Sequence, residues 1–150
     1  MSALLEQLNQ DLSSAMKSRD ERRLSALRMT LSEVKYLQAE KGVSYQLTDE
    51  DVQAALRHQI KMRREAAATY ESGGAMEQAQ RELDEASVLA AYLPAQLSES
   101  EVEAMAREVI ATVENPSPRD MGRVMGALMP RLGGRADGSM VKDVVSRLLK

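Results

Sequence analysis

The spacing of its apolar residues constrains this chain most: they recur at intervals of three and four from one end to the other. Leu4, Leu5, Leu8, Leu12, Ala15 and Met16 begin the pattern, and that period predicts an amphipathic helix over residues 2–18. A second helix is expected over 20–41, with Leu24, Leu27, Leu31, Val34 and Leu37 or Gln38 on one stripe and Gly42 as its stop. Thr48 has the chemistry of an N-cap for a third helix, and Asp49, Glu50 and Asp51 occupy the first turn, where the helix dipole favours negative charge. That helix runs to about Glu71 through Val52, Leu56, Gln59, Ile60, Arg63, Ala67 and Tyr70, and Ser72-Gly73-Gly74 ends it. A fourth is expected over 75–93, apolar at Met76, Ala79, Leu83, Ala86, Ala90 and Leu93, with Glu77, Glu82, Asp84 and Glu85 on its other faces.

Pro94 breaks the fourth helix, because proline offers no N–H and its ring clashes with the preceding turn. Ser98 with Glu101 reads as a capping box for a fifth helix over 99–114, which turns Val102, Met105, Val109 and Val113 inward before Asn115-Pro116. Ser117-Pro118-Arg119-Asp120 is another start signal, with proline at the first helical position. The sixth helix shows Met121, Val124, Met125 and Leu128 and is expected to stop before Pro130. A glycine-rich loop over 132–138 leads to a last helix carrying Met140, Val141, Val144, Val145, Leu148 and Leu149.

No stretch alternates as a strand would, Phe and Trp are absent, and only four Tyr remain, so a sheet would lack its usual aromatic residues. The core must be aliphatic, with ten Met filling irregular gaps. The fold expected is therefore all-α: an N-terminal four-helix part over 1–93, a hinge at 94–98 around Pro94, and a three-helix C-terminal tail over 99–150. A piece as small as that tail buries only about 60% of its unfolded surface and is marginal alone.

Several function classes are excluded early. Zero Cys removes disulfides, thiolate metal sites and cysteine nucleophiles, and one His, His58, cannot by itself build a zinc site or a serine-type triad. No catalytic constellation, cofactor site or metal site is visible. The opening residues carry Glu6 and Asp11 rather than a basic leader, and nothing approaches the roughly 18 apolar residues of a membrane span, so the cytoplasm is the expected compartment. The net charge of −3 hides a segregation: about neutral at +1 over 1–70, −8 over 71–114 and +4 over 115–150. A uniformly basic nucleic-acid binder is excluded, whereas local basic faces are not.

Two such faces carry the candidates. Arg57, Lys61 and Arg64 fall at i, i+4 and i+7 on the third helix, and Arg28, Lys35, Arg22 and Arg23 add cations on the second. Cations repeated along a rod can track phosphates, although the commoner use of such a run is a solvated face. His58 beside them reads as a surface or partly buried histidine. In the tail loop, Gly133, Gly134 and Gly138 allow unusual backbone angles, Asp137 can cap the last helix, and Arg123, Arg131 and Arg135 stand ready for an anion. The spacing is not that of a P-loop. Met121, Met125 and Met129 form either an adaptable binding stripe or, more commonly, core packing; Glu82, Asp84 and Glu85 read as solvated surface.

The string Tyr92-Leu93-Pro94-Ala95-Gln96-Leu97-Ser98-Glu99, then Asp120-Met121-Gly122-Arg123-Val124-Met125-Gly126 and Gly134-Arg135-Ala136-Asp137-Gly138, resembles the GatB/YqeY domain family in its free-standing YqeY form. Arg22-Arg23-Leu24-Ser25-Ala26-Leu27-Arg28-Met29 is similar to that family's second helix. The resemblance implies a four-helix part with a three-helix tail. It also implies relation to the end of the B subunit of tRNA-dependent Asp/Glu amidotransferase, which contacts the tRNA body away from the chemistry. Family transfer would attach a carbon–nitrogen ligase activity with glutamine as amido donor, yet this chain shows neither the subunit's large catalytic body nor an ATP- or glutamine-handling site. The expectation is a non-catalytic tRNA-binding or amidotransferase-related accessory module, with Arg123 and Arg135 foremost among its phosphate contacts. The competing expectation is a protein–protein adaptor in translation or nucleic-acid metabolism, working through the acidic 71–114 segment or the Met stripe. The identity of the partner and the oligomeric state stay open at this level.

Overall fold

The computed structural model describes residues 2–150, and every regular element among them is helical. In chain order these are α1 (Ala3–Ser18), α2 (Glu21–Lys41), α3 (Asp49–Ser72), α4 (Met76–Ala90), α5 (Glu99–Ile110), a 3-10 turn (Pro118–Asp120), α6 (Met121–Leu132) and α7 (Gly138–Leu148). The chain divides into two compact units, Met1–Leu93 and Pro94–Lys150.

In the N-terminal unit, Leu8, Leu27, Leu31, Val52, Leu56, Ile60, Ala86 and Leu89 from all four helices join in one buried cluster. Each fully buried leucine stabilises the fold by about 1.5–3 kcal/mol, more than the roughly 1 kcal/mol of a helix cap. Packing therefore sets the arrangement, and caps set where each helix begins. The Thr48 hydroxyl accepts from Asp51 N at 3.2 Å, and Asp51 Oδ2 accepts from Thr48 N at 2.9 Å and from the Tyr45 hydroxyl at 2.8 Å. Those bonds, Thr48 N–H foremost, hold the Asp51 carboxyl below the usual carboxylate range. The starts of α1 and α3 are tied together as well: Ser2 donates to Asp49, and Leu4 N donates to the same oxygen at 3.2 Å.

Three expectations for α3 and α4 are corrected. The helix over 75–93 ends at Ala90, three residues short. Met76, Leu83 and Tyr70, expected inward, are exposed; of the expected stripe of α4, Ala79 and Ala86 are buried, joined by Leu89. Glu82 and Glu85, expected as solvated surface, have side chains only 21% and 16% exposed. One cause accounts for the α4 residues among these, Met76, Leu83, Glu82 and Glu85. Arg63 lies on the inward stripe of α3, 12% exposed, with its guanidinium 3.5 Å from Glu82 and 3.6 Å from Glu85. A buried cation needs counter-charge, so α4 is rotated to bring its carboxylates inward and carries Met76 and Leu83 out. Asp84 forms its own exposed pair with Arg22 at 2.5 Å.

Past α4, the Tyr92 hydroxyl donates to Asp11 of α1, and Arg23 of α2 comes within 4.0 Å of the same carboxylate oxygen. Burial first, then the bond to Asp11, pushes the phenol up to about 12 from the ordinary 10.0. Because the folded state holds this proton more tightly than the unfolded chain, its stabilisation is complete below pH 10.0 and is lost as pH rises toward about 12. Tyr92→Phe should flatten that part of the alkaline decline in thermal midpoint, measured over pH 9 to 12 beside the unaltered protein.

The C-terminal unit packs α5, α6 and α7 around Val102, Ala106, Val124, Leu128, Leu132, Val141, Val144 and Val145. Ser98 caps α5 by accepting from Glu101 N at 3.1 Å. In the segment 94–98, expected as a hinge, Leu97 N donates to Arg135 O at 2.8 Å, and Leu97 packs against this unit's core. The sixth helix does not stop before Pro130 but runs through it to Leu132. Leu132 is fully buried, and its packing outweighs the hydrogen bond that proline removes.

Candidate nucleic-acid interface

The α6 region is built from its start signal outward. Asp120 Oδ2 accepts from Ser117 N at 2.9 Å, and Pro118 opens the 3-10 turn that leads into the helix. From there Val124, Leu128 and Leu132 are buried at spacing four, and Met121, Met125 and Met129 flank them half-buried against the same core. The Met stripe is thus used in packing.

The opposite face has a different composition. Gly122, Arg123, Gly126, Ala127, Pro130 and Arg131 are all exposed. A glycine in a helix interior costs about 1 kcal/mol relative to alanine. Nothing in the fold asks for it here, since a Cβ added at Gly122 or Gly126 would meet nothing within 4 Å. Pro130 cannot donate to the carbonyl of Gly126 four residues earlier, so that acceptor is left without its usual helical donor. The result is a strip of small residues that lacks one helical donor, bordered by arginines.

The bordering arginines are not equivalent. Arg123 is exposed and forms no ion pair among the described residues, and Arg119 at the start of the strip is the same. Arg131 reaches Glu108 at 2.6 Å, which offsets part of its charge. Arg135 is half-buried, its Nε donating to Leu132 O at 3.3 Å while its carbonyl holds Leu97 N. Arg135 secures the end of α6 first and can lend only the remainder of its guanidinium to a ligand.

The loop beyond α6 is a tight turn. Gly133 and Gly134 take left-handed φ of 55° and 76°, which glycine adopts without strain. Two details differ from the sequence reading. Gly138 needs no unusual angle, because it is the first residue of α7, and Asp137 stands at the N-cap position without a side-chain capping bond.

In the N-terminal unit, Arg57 is half-buried while Lys61 and Arg64 are exposed, and none of the three is ion-paired among the described residues. This cationic row keeps its full charge, whereas Arg63 between them is neutralised from within. His58 is exposed, with Nδ1 2.6 Å from Glu33 Oε1, and Gln59 donates to that same oxygen at 2.8 Å. No group of His, Cys, Asp or Glu able to hold a metal ion occurs among the described residues, and no helix among them is long and apolar enough to cross a membrane.

Sequence reasoning named Arg123, Arg131 and Arg135 but missed the bare strip beside them. The signal was present in Gly122, Gly126 and Pro130 at spacing four, a rare set of residues for one helix face. A family described as Yqey-like protein matches residues 5–149. No curated protein matches the chain.

Proposed function

Because the chain belongs to the Yqey-like family, with residues 5–149 matched, we propose that it is a non-catalytic, cytosolic RNA-binding accessory module that holds tRNA or a tRNA-bound enzyme. In the plan that the family likeness implies, the C-terminal tail is the holding end, and the all-helical architecture is compatible with it. The observation that carries this reading is the α6 strip. Gly122, Gly126 and Pro130 let another backbone approach closely, and the unpaired Arg123 supplies a phosphate contact beside them. A ribose 2′-hydroxyl that donated to the Gly126 carbonyl, in place of the N–H that Pro130 lacks, would distinguish RNA from DNA at this position. The unpaired row Arg57, Lys61 and Arg64 offers a second run of phosphate contacts.

Affinity of this kind is electrostatic and falls steeply with salt. With three or four phosphates of a duplex region neutralised, a fourfold rise in salt should weaken binding by about 40- to 150-fold. The test is tRNA binding at low and at moderate salt, beside an unrelated RNA and a DNA of matched length. Absence of tRNA binding at both salt levels contradicts the proposal, and equal binding of the unrelated RNA reduces it to nonspecific attachment. A stoichiometric, nuclease-insensitive protein partner would instead favour an adaptor. The acidic 71–114 segment is a poorer surface for that role than its charge suggests, because Glu82 and Glu85 are committed to Arg63.

A further inference from the structure

A groove between α2 and α3 has properties that RNA binding does not use. The two helices run antiparallel: Lys41 at the end of α2 acts on Asp51 at the start of α3, and Glu33, two turns earlier, meets His58, two turns later. Leu37, Ala54 and Ala55 give the groove its apolar lining, with Tyr36, Glu33 and Glu40 on its α2 side and Asp51 and His58 on its α3 side. Tyr36 is 68% exposed. By helical spacing, Met29 on α2 and Met62 on α3 fall one turn beyond the Glu33–His58 contact on the same faces of their helices, 45% and 40% exposed. A monomeric helical hairpin gains nothing from three large apolar side chains in water along one seam.

The charge of this groove is opposite to that of the proposed RNA surface. Glu33 spends one oxygen on His58 and Gln59, and its second has no partner among the described residues. Glu40 forms no ion pair among them. The two carboxylates lie seven residues apart on α2, about 10 Å along one helix face. Phosphate is repelled here, and a cation is attracted.

We propose that the α2–α3 groove is a docking site for a basic amphipathic helix of a protein partner. Its apolar residues would lie on Leu37, Ala54 and Tyr36 between the flexible Met29 and Met62 side chains, and its Lys or Arg at i and i+7 would meet Glu33 and Glu40. A helix is the occupant that fits, because a cleft between two antiparallel helices accepts a third by ridge-into-groove packing. Methionine adapts its shape to such a ligand at little cost. The site is separate from the α6 strip but shares α3 with the Arg57, Lys61 and Arg64 row, so peptide binding is measured without RNA and RNA binding is judged at α6, which keeps the two failures distinguishable.

The probe is a fluorescein-labelled synthetic amphipathic helix of leucine and lysine, with a twin in which glutamate replaces every lysine. Fluorescence anisotropy with the full chain should show binding of the basic peptide alone. Glu40→Lys should weaken it by about tenfold or more through like-charge contact, and Tyr36→Ser and Met62→Ser should weaken it too. Glu77→Lys, an exposed acid on α4, should leave it unchanged. All four side chains are exposed, and unchanged helicity by circular dichroism confirms that each variant is folded. Equal binding of the two peptides, or wild-type affinity in Glu40→Lys and Tyr36→Ser, overturns the proposal. So does sedimentation showing a dimer that Tyr36→Ser dissolves, since the groove would then hold a second copy of the chain.

Discussion

Arg63→Ala should destabilise the N-terminal unit by about 3 kcal/mol or more, because it strands two largely buried carboxylates without their cation. Arg63 is 12% exposed between Glu82 and Glu85 and also donates to Gln59 Oε1 at 2.9 Å, so the truncation takes the counter-charge from two carboxylates and a donor from Gln59 at once. The loss would be read as a lower midpoint in urea. Its origin can be separated from lost packing volume with the triple variant Arg63→Met, Glu82→Gln and Glu85→Gln, which removes charge on both sides and keeps the shape. That variant should recover most of the stability, since apolar or neutral replacements of a whole buried ion cluster are often neutral or better. An Arg63→Ala protein as stable as the parent would show that the pairs are solvent-screened ornaments of the α3–α4 hairpin.

The second large effect has opposite signs in stability and in binding. Gly122→Ala with Gly126→Ala should raise the stability of the C-terminal unit by about 1 kcal/mol or more, because both lie in α6 and alanine is the better helix former. Nothing lies within 4 Å of either new Cβ to oppose the gain. Gly122→Leu with Gly126→Leu should remain folded and lose tRNA binding by about tenfold or more, as the side chains hold an RNA backbone away from Arg123 and from the Gly126 carbonyl. Substitutions that stabilise a protein while removing its ligand mark positions kept for contact and not for folding. If the leucine variant binds tRNA as the parent does, the strip is not the contact surface.

These two cases also show where sequence reasoning succeeds. The helical class and most element starts were legible, because caps such as Thr48 and Ser98 and stops such as Gly42 act within a few residues. The family was legible from separated motifs that match over 5–149. What was lost depends on partners distant in sequence. Periodicity placed Arg63 on the inward stripe correctly but could not reveal that Glu82 and Glu85 would follow it, and so mistook Met76 and Leu83 for core. The stop expected before Pro130 failed for a similar reason, since Leu132 pays back the helix only by reaching a core that α5 and α7 complete.

The site was legible in its charges and not in its shape. Arg123 and Arg135 look alike in sequence, yet Arg123 is unpaired among the described residues while Arg135 closes the end of α6 and anchors Leu97. Arg135→Ala therefore mixes a folding effect with any binding effect, and Arg123 is the cleaner probe.

The most direct measurement is a titration of isotope-labelled protein with tRNA, following backbone amide shifts residue by residue. The account expects the largest changes along Gly122, Arg123, Gly126, Ala127 and Arg131, with a second set at Arg57, Lys61 and Arg64, and both fading as salt rises. Changes confined to other faces, or no changes at any salt concentration, would contradict it.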